Sequence, residues 1–260
     1  MTLDRGGAKT GMKTFDIDQL PQFAECPAAA RASYDRLGFH VERGVLDRER
    51  CDRLVSIALG FQAAASGDYR PAMNPHRHED VFLRQLAFPP VTAIIERLIG
   101  TPVCGLQSEF FYCRPGTRGF ALHQDNFFVE APGDAFASAW TSLTDISADM
   151  GSLIVIPGSH IAGRLPVAQL SGGSGPNQDP NAANEEVVLP PGSADPVCLP
   201  LPAGASVFLH AWVVHGSNAN VANRSRYALL NTYIRKGAPF RPGNTAKRTA
   251  LDLAGLADAV

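Results

Sequence analysis

The part of the chain after residue 102 most constrains the fold, because it consists of short apolar segments separated by turn residues. Glycine, proline and asparagine cluster between these segments, and no long helical pattern interrupts them. This succession is typical of an antiparallel β-protein and not of a parallel β/α fold. Seven segments have the character of β-strands, namely 103–113, 119–123, 136–144, 152–156, 196–201, 205–215 and 226–235. We therefore predict a mainly β protein with a sandwich or jelly-roll core.

Patterns in the first hundred residues predict helices that flank this β-region. Residues 27–37 are alanine-rich and end before a glycine, and residues 90–98 place apolar side chains at helical spacing. After a first strand at 39–45, another helix is predicted to begin with Asp47 as its N-cap. Residues 69–80 contain two prolines and break the pattern. We expect the helices to be packing elements, since they carry no recognisable catalytic constellation.

The length of 260 residues is compatible with one domain, and we predict a single domain spanning 1–260. Residues 1–15 are polar and glycine-rich at their start, without the apolar core of a secretory signal or anchor, and predict a flexible leader. Residues 161–195 are too polar to pack in a core and too long for an ordinary hairpin. Such a segment is either a functional lid or disordered, and its position favours a lid.

Composition excludes several classes of partner. The chain is 45% hydrophobic and 18% charged, with a net charge of -2 and neither a basic block nor a long apolar run. We therefore expect a small-molecule substrate and neither nucleic acid nor a membrane as a partner. The five cysteines contain no CxxC pair, which argues against a disulfide framework and a zinc ribbon. A cytoplasmic location is the resulting expectation.

A His-x-Asp sequence at the end of the predicted strand 119–123 is the first candidate site. If the strand continues regularly, His123 and Asp125 project to one side and Gln124 to the other. An imidazole and a carboxylate on one face are two of the three ligands in the 2-His-1-carboxylate site that binds ferrous iron. The spacing alone is weak evidence, so the third ligand must be sought elsewhere.

Three histidines of the β-region are candidates for the third ligand. His160 follows a Pro-Gly turn, where a histidine that fixes the turn by hydrogen bonds is the favoured reading. His210 and His215 share the predicted strand 205–215 but are five residues apart, so they face opposite sides and only one can serve. We choose His215, because it lies at the strand's end, where the mouth of a jelly roll would be, and we expect His210 to be packed.

An arginine follows in the chain at a place where it would reach the distal carboxylate of a 2-oxo acid cosubstrate bound to the metal. The distal carboxylate of such a cosubstrate needs a permanent, planar cation. Arg226 begins the strand after His215, and an antiparallel hairpin would bring its guanidinium beside that histidine. Arg224, two residues earlier, is expected to be a solvated turn residue.

Taken together, these blocks resemble the phytanoyl-CoA dioxygenase (PhyH-like) family. The matching blocks are 123–125, 140–145, 151–160, 215–218 and Arg226, and the likeness extends over about 106–234. The resemblance implies a double-stranded β-helix, which is a cupin-like jelly roll. It also implies Fe(II), 2-oxoglutarate and O2 as cofactor and cosubstrates.

The same resemblance implies a role for each matching residue. His123, Asp125 and His215 are the implied iron ligands, and Arg226 with Ser217 is the implied clamp on the distal carboxylate of 2-oxoglutarate. Related halogenases have glycine or alanine in place of the carboxylate ligand. Because Asp125 is a carboxylate, halogenation is disfavoured.

Four further residues are candidates for the cosubstrate pocket. Trp140 and Gln124 resemble residues that wall this pocket in the family. Gln107 and Tyr112 lie on the strand that leads into the site and would reach cosubstrate or substrate, although ordinary strand packing explains them equally well.

The resulting hypothesis is a 2-oxoglutarate-dependent dioxygenase. It would hydroxylate an unactivated C–H bond of a small metabolite or natural-product intermediate and release succinate and CO2. Desaturation, epoxidation and ring formation use the same kind of site. The alternative is a non-oxygenase cupin, either a metal-dependent isomerase or a ligand-binding protein, which would not need Arg226. Substrate and oligomeric state remain open at this point.

Overall fold

The computed structural model describes residues 12–65, 70–170 and 185–256. In these ranges the α-helices are α1 (Pro27–Leu37), α2 (Arg48–Leu59), α3 (Gln62–Ala65), α4 (Asp80–Leu86), α5 (Pro89–Ile99) and α6 (Asn126–Val129). The strands are β1 (Lys13–Thr14), β2 (Phe39–Glu42), β3 (Ala72–Met73), β4 (Val103–Cys113), β5 (Phe136–Ser142), β6 (Leu153–Val155), β7 (Val167–Gln169), β8 (Glu185–Val187), β9 (Val197–Leu199), β10 (Ser206–His210), β11 (His215–Ser217), β12 (Arg226–Arg235) and β13 (Leu251–Asp252). None of the described helices has the length and apolar character needed to span a bilayer.

Two facing sheets form the body of the described chain. The larger has the order β13-β4-β12-β5-β10-β2, with β3 also paired to β4, and its pairs are antiparallel. The smaller has the order β1-β9-β6-β11, and only its β1-β9 pair is parallel. A core cluster lies between them, with Val207 and Leu209 from the larger sheet and Val155 from the smaller. This confirms the predicted mainly β, jelly-roll fold with flanking helices.

Alternation along the strands separates the core from the helical layer. On β10, Val207 and Leu209 point between the sheets, whereas Phe208 points outward into a second cluster with Ile94 and Ile95 of α5. Helices α1, α2, α4 and α5 cover this outer face of the larger sheet. The helices are therefore packing elements, and the space between the sheets is left for a site.

Helix boundaries follow the predicted signals closely. The Asp47 side chain accepts a hydrogen bond from the Arg50 backbone N–H at 2.7 Å and begins α2. Gly38 and Gly100 adopt left-handed conformations, with φ of 80° and 83°, and end α1 and α5. Helix α4 was not predicted, because the prolines and histidines before it masked its short apolar stripe.

Two of the predicted strands are wrong in detail. Residues 119–123 do not form a strand, and only His123 makes an isolated bridge, to His215. The predicted strand 205–215 breaks after His210, where the Val213 N–H turns back to the His210 carbonyl. This turn carries the chain from the larger sheet to the smaller, so His210 and His215 lie in different sheets rather than on opposite faces of one strand.

The predicted leader and insertion are only partly described. Lys13–Thr14 pair with β9, so the sheet begins inside the segment predicted as a leader, while residues 1–11 lie outside the described residues. In the insertion, β7 and β8 pair with each other, and residues 171–184 lie outside the described residues. The expectation that this segment is too polar for a core is wrong for Leu165 and Val187, which pack with Leu122.

Candidate metal centre

Three potential metal ligands converge at one point between the sheets. Donor atoms of His123, Asp125 and His215 all lie within 4.8 Å of one another. The Nε2 atom of each histidine is 3.4 Å from Asp125 Oδ1. The backbones of the two histidines are bonded directly, since His123 N donates to His215 O at 2.8 Å and His215 N to His123 O at 3.0 Å. The structure thus brings the predicted trio together.

Asp125 reaches this point by a route that differs from the predicted one. Its backbone is helical, with φ of -56° and ψ of -39°, and it leads into α6. Strand alternation therefore does not put it beside His123, and the helical turn does. The Ser138 hydroxyl on β5 donates to Asp125 Oδ2 at 2.5 Å and fixes the carboxylate from the larger sheet.

Two glycines allow the segment before His123 to approach β11 closely. A Cβ on Gly119 would lie 2.1 Å from Ser217 O, and one on Gly216 would lie 2.7 Å from Phe120 O. No side chain fits in either place without backbone movement. These glycines therefore permit the pairing that sets the two histidines side by side.

The donor chemistry suits a divalent transition metal. Each histidine has its Nδ1 near a carbonyl, at 2.8 Å from Ala121 O for His123 and at 3.1 Å from Val213 O for His215. An Nδ1–H donated there leaves the Nε2 lone pair facing Asp125 and the space for a metal. Two imidazoles and one carboxylate on one side of an open position form the set that binds ferrous iron. These residues fit the implied metal.

Electrostatics hold Asp125 in its metal-binding form. Burial by itself would raise the pKa of Asp125, but the adjacent His215 and His123 bring that pKa well below its usual value. Burial opposes charge on His215, whereas the Asp125 carboxylate beside it raises the pKa of His215. Asp125 is therefore ionised and available as an anionic ligand.

The trio lines an inner cavity with a volume of about 90 Å³. The same cavity is lined by three of the predicted cosubstrate residues, Arg226, Ser217 and Trp140. Arg226 is only 2% exposed, donates to Gly151 O at 3.0 Å and has its guanidinium 5.3 Å from the Trp140 ring centre. Its Nε has no hydrogen-bond partner within the described residues. The predicted hairpin with His215 is wrong, because β12 and β11 belong to different sheets, and the guanidinium reaches the cavity from the opposite wall.

Two predicted site residues lie elsewhere. Gln124 turns away from the cavity, donates to the carbonyls of Gly163 and Trp212, and accepts from Leu165 N. It therefore anchors the start of the insertion and is not among the residues that line the inner cavity. Tyr112 lies on the outer face of β4, where its hydroxyl donates to Ala58 O of α2 at 2.6 Å.

Gln107 lines the inner cavity as predicted, and so do two residues that sequence reasoning missed. Glu109 is on the same face of β4 as Gln107, so alternation would have found it. Arg248 lies in an irregular segment near the C-terminus, and no local pattern pointed to it.

Comparison with known proteins identifies the family. A family model for phytanoyl-CoA dioxygenase (PhyH) matches residues 34–228. The chain belongs to the phytanoyl-CoA dioxygenase family. Phytanoyl-CoA dioxygenase domain-containing protein 1 of Mus musculus is 28% identical over 228 residues, which cover 84% of this chain and 72% of the relative. The Bos taurus protein of the same name is 32% identical over 207 residues, covering 76% of this chain and 65% of the relative.

Solved structures agree with the jelly-roll fold. The non-heme alpha ketoglutarate dependent carbocyclase SnoK from nogalamycin biosynthesis matches with a TM-score of 0.66 and 20% identity, over 89% of this chain and 90% of SnoK. The epimerase SnoN from the same biosynthesis matches with a TM-score of 0.65 and 22% identity, over 83% and 85%. The PhyH family consists of Fe(II)- and 2-oxoglutarate-dependent oxygenases, which is the class predicted for this chain.

Proposed function

We propose that this member of the phytanoyl-CoA dioxygenase family hydroxylates an unactivated C–H bond of a small metabolite or natural-product intermediate. Fe(II), 2-oxoglutarate and O2 would together supply the oxidant, with succinate and CO2 as coproducts. One observation carries the proposal. The His123, Asp125 and His215 trio and the buried guanidinium of Arg226 line a single cavity. A cupin isomerase or binding protein would have no use for that guanidinium.

The side chains of the cavity have separate tasks in this proposal. His123, Asp125 and His215 would hold Fe(II) from one side and leave its other side open. The unpartnered Nε of Arg226 would meet the distal carboxylate of 2-oxoglutarate as a charge-assisted hydrogen bond. The Ser217 hydroxyl accepts from Phe120 N at 2.9 Å, so its own hydrogen remains free to donate to the same carboxylate.

Apolar side chains complete the site and exclude water. Phe120 and Phe128 have their ring centres 4.6 Å and 6.2 Å from the His123 ring. With Leu153 and Leu230 they line the cavity around the metal position. A water-poor wall strengthens the electrostatic contacts inside and protects a reactive oxidant from side reactions.

Neighbours of the same fold differ in the reactions named for them. SnoN was crystallised with Fe3+, alpha ketoglutarate and nogalamycin RO and is described as an epimerase, and SnoK is described as a carbocyclase. We propose hydroxylation for this chain because Asp125 completes the ligand set of an oxygenase. None of the described residues that line the cavity requires a different reaction.

Turnover of the cosubstrate tests the proposal. The protein is incubated in air with Fe(II), 2-oxoglutarate and a library of metabolites, and succinate is measured. We expect substrate-dependent succinate and a product heavier by one oxygen atom, with label from ¹⁸O2. Succinate without oxygen in the product would overturn hydroxylation, and no succinate with any compound would overturn the oxygenase.

A further inference from the structure

A second cavity lies beside the inner one and shares four of its lining residues. This outer cavity has a volume of about 530 Å³ and is closed in part by the segment around 241–248. Four residues line both cavities, and we name them the neck: Gln107, Glu109, Phe128 and Arg248. Among the described residues, the neck lies between a substrate in the outer cavity and the candidate metal centre.

The neck carries one buried anion, Glu109, and one partly buried cation, Arg248. Glu109 is 8% exposed and accepts a hydrogen bond from the Gln107 amide. Arg248 lies within Coulombic range of Glu109, which opposes the lowering of the Arg248 pKa by burial. Its Nη1 is held by backbone carbonyls, those of Phe128 at 3.1 Å, Arg241 at 3.3 Å and Pro242 at 3.5 Å. Both charges are thus fixed in place.

Several polar atoms near the neck have no hydrogen-bond partner in the described residues. They are Oε1 of Gln107, Oγ1 of Thr232 and Nε of Arg248. Gln107 is 2% exposed and Thr232 is 5% exposed, and both line the inner cavity on paired strands. A buried polar atom without a partner is unfavourable, so these atoms favour a ligand with hydrogen-bonding groups.

The charges around the outer cavity are balanced. Among the described residues that line it, the cations are Arg241 and Arg248. Arg241 pairs with Glu130 at 3.1 Å, and the charge of Glu109 acts on Arg248 by Coulombic attraction. A polyanion such as a coenzyme A thioester would meet no surplus of positive charge here. An alkyl chain in the neck would desolvate Glu109 and Arg248 without bonding to them.

We propose that the neck selects an uncharged, hydroxyl-bearing substrate, with Glu109 accepting from a substrate hydroxyl and Arg248 donating to a substrate oxygen. Gln107 and Thr232 add one bond each on the side of the metal. This inference rests on the proposed function and deepens it, because it names the substrate class of the same site. The specificity of this chain then differs from that of an acyl-CoA oxygenase.

Three probes that share an eight-carbon chain and differ in their head group test the proposal. They are octyl β-D-glucoside, octanoate and octanoyl-CoA. Each is titrated calorimetrically, below micelle formation, into the anaerobic protein loaded with Fe(II) and 2-oxoglutarate. We expect the glucoside to bind at least about ten-fold more tightly than either anion, the equivalent of one or two good hydrogen bonds.

Variants of neck and cavity residues test whether the glucoside binds at the neck. Glu109→Leu should weaken the glucoside at least about ten-fold, and Thr232→Val, which keeps the side-chain shape, should weaken it about three-fold or more. Glu96→Leu, on the exposed side of α5, is the matched control and should leave the affinity unchanged. If Glu109→Leu does not fold, Thr232→Val carries the test.

The results of these titrations support or contradict the neck proposal as follows. Tighter binding of either anion, no binding of the glucoside, or equal affinity in wild type and Thr232→Val would overturn the neck proposal. Loading with 2-oxoglutarate is monitored beforehand by its absorption with Fe(II). A failure to load contradicts the proposed function itself, whereas normal loading with the wrong probe order contradicts the neck alone.

Discussion

Asp125 is the single anion of the trio, and the chain holds it on three sides. Both histidine Nε2 atoms lie 3.4 Å from its Oδ1, and Ser138 donates to its Oδ2. A carboxylate in this position contributes both a ligand atom and the charge that offsets a divalent metal.

Removing this carboxylate should abolish tight iron binding. We expect Asp125→Ala to lower the Fe(II) affinity by about 100-fold or more, since even residues that only orient ligands change metal affinity by about 10- to 100-fold. Anaerobic calorimetry measures the affinity, and Asp52→Ala on the exposed side of α2 is the control. Unchanged affinity in Asp125→Ala would show that the metal binds elsewhere.

His210 makes the fold sensitive to acid although it does not belong to the metal centre. Burial, assisted by the neighbouring His160, lowers the pKa of His210 to about 4. The unfolded chain binds this proton near pH 6.5 and the folded chain only near 4. Acid therefore favours the unfolded state, and stability present above pH 6.5 is lost as the pH falls towards 4.

Replacing His210 should reduce this loss. In His210→Gln the amide oxygen can still accept from Trp212 N, as Nδ1 of His210 does at 3.1 Å. The drop in the free energy of unfolding between pH 7 and pH 4.5, measured with urea, should be smaller than in wild type. The exposed His78→Gln should keep the wild-type drop. An equal drop in His210→Gln would contradict this account.

At the scale of single elements, β4 shows how far alternation can be trusted. Gln107 and Tyr112 were both predicted to reach the site, yet they are five residues apart on a regular strand and face opposite sides. The same rule, applied consistently, would have rejected Tyr112 and found Glu109.

Tyr112→Phe separates packing from cosubstrate binding. Loss of the hydrogen bond to Ala58 O should lower the free energy of unfolding by about 1 kcal/mol. The affinity for 2-oxoglutarate should stay at the wild-type value, because Tyr112 packs between β4 and α2. A variant with wild-type stability and weakened 2-oxoglutarate binding would show that Tyr112 contributes to the cosubstrate site.

The pairing of β11 with the segment before His123 depends on a glycine. A methyl group on Gly216 would press on Phe120 O and Ala121 O, at 2.7 Å and 3.0 Å. We expect Gly216→Ala to lower the free energy of unfolding by about 1–3 kcal/mol, as overpacking does, and to weaken Fe(II) binding. Gly60→Ala, whose new methyl would contact only Ile57 O at 3.2 Å, is the control for urea unfolding. Wild-type stability and iron affinity in Gly216→Ala would refute the role of this close approach.

At the scale of the whole molecule, the sequence predicted the fold class and the residues of the trio. It did not predict the backbone conformations that bring these residues together. Apolar periodicity and turn residues are local signals, and they identified β4, β12, α1 and α5. The break between His210 and His215, the helical turn at Asp125 and the position of Arg248 depend on which sheet each segment joins. That choice is set by tertiary packing, which a local pattern does not contain.

The two sheets also explain why Arg226 and His215 lie on opposite sides of the inner cavity. His215 belongs to the smaller sheet and Arg226 to the larger, and the inner cavity is the gap between them. A cosubstrate that bridges metal and guanidinium would therefore link both sheets across the mouth of the jelly roll. Loss of the Arg226 side chain should weaken the binding of 2-oxoglutarate without changing the affinity for Fe(II).

Anaerobic titration with Fe(II) and then 2-oxoglutarate tests this central claim most directly, because the chelate has a weak visible charge-transfer band. We predict this band for wild type and for Arg224→Ala, which replaces an exposed arginine two residues from Arg226. In Arg226→Ala we predict unchanged Fe(II) affinity, with the band appearing only at about ten-fold or higher concentrations of 2-oxoglutarate. No band in wild type at saturating 2-oxoglutarate, or identical titrations for Arg226→Ala and wild type, would contradict the account.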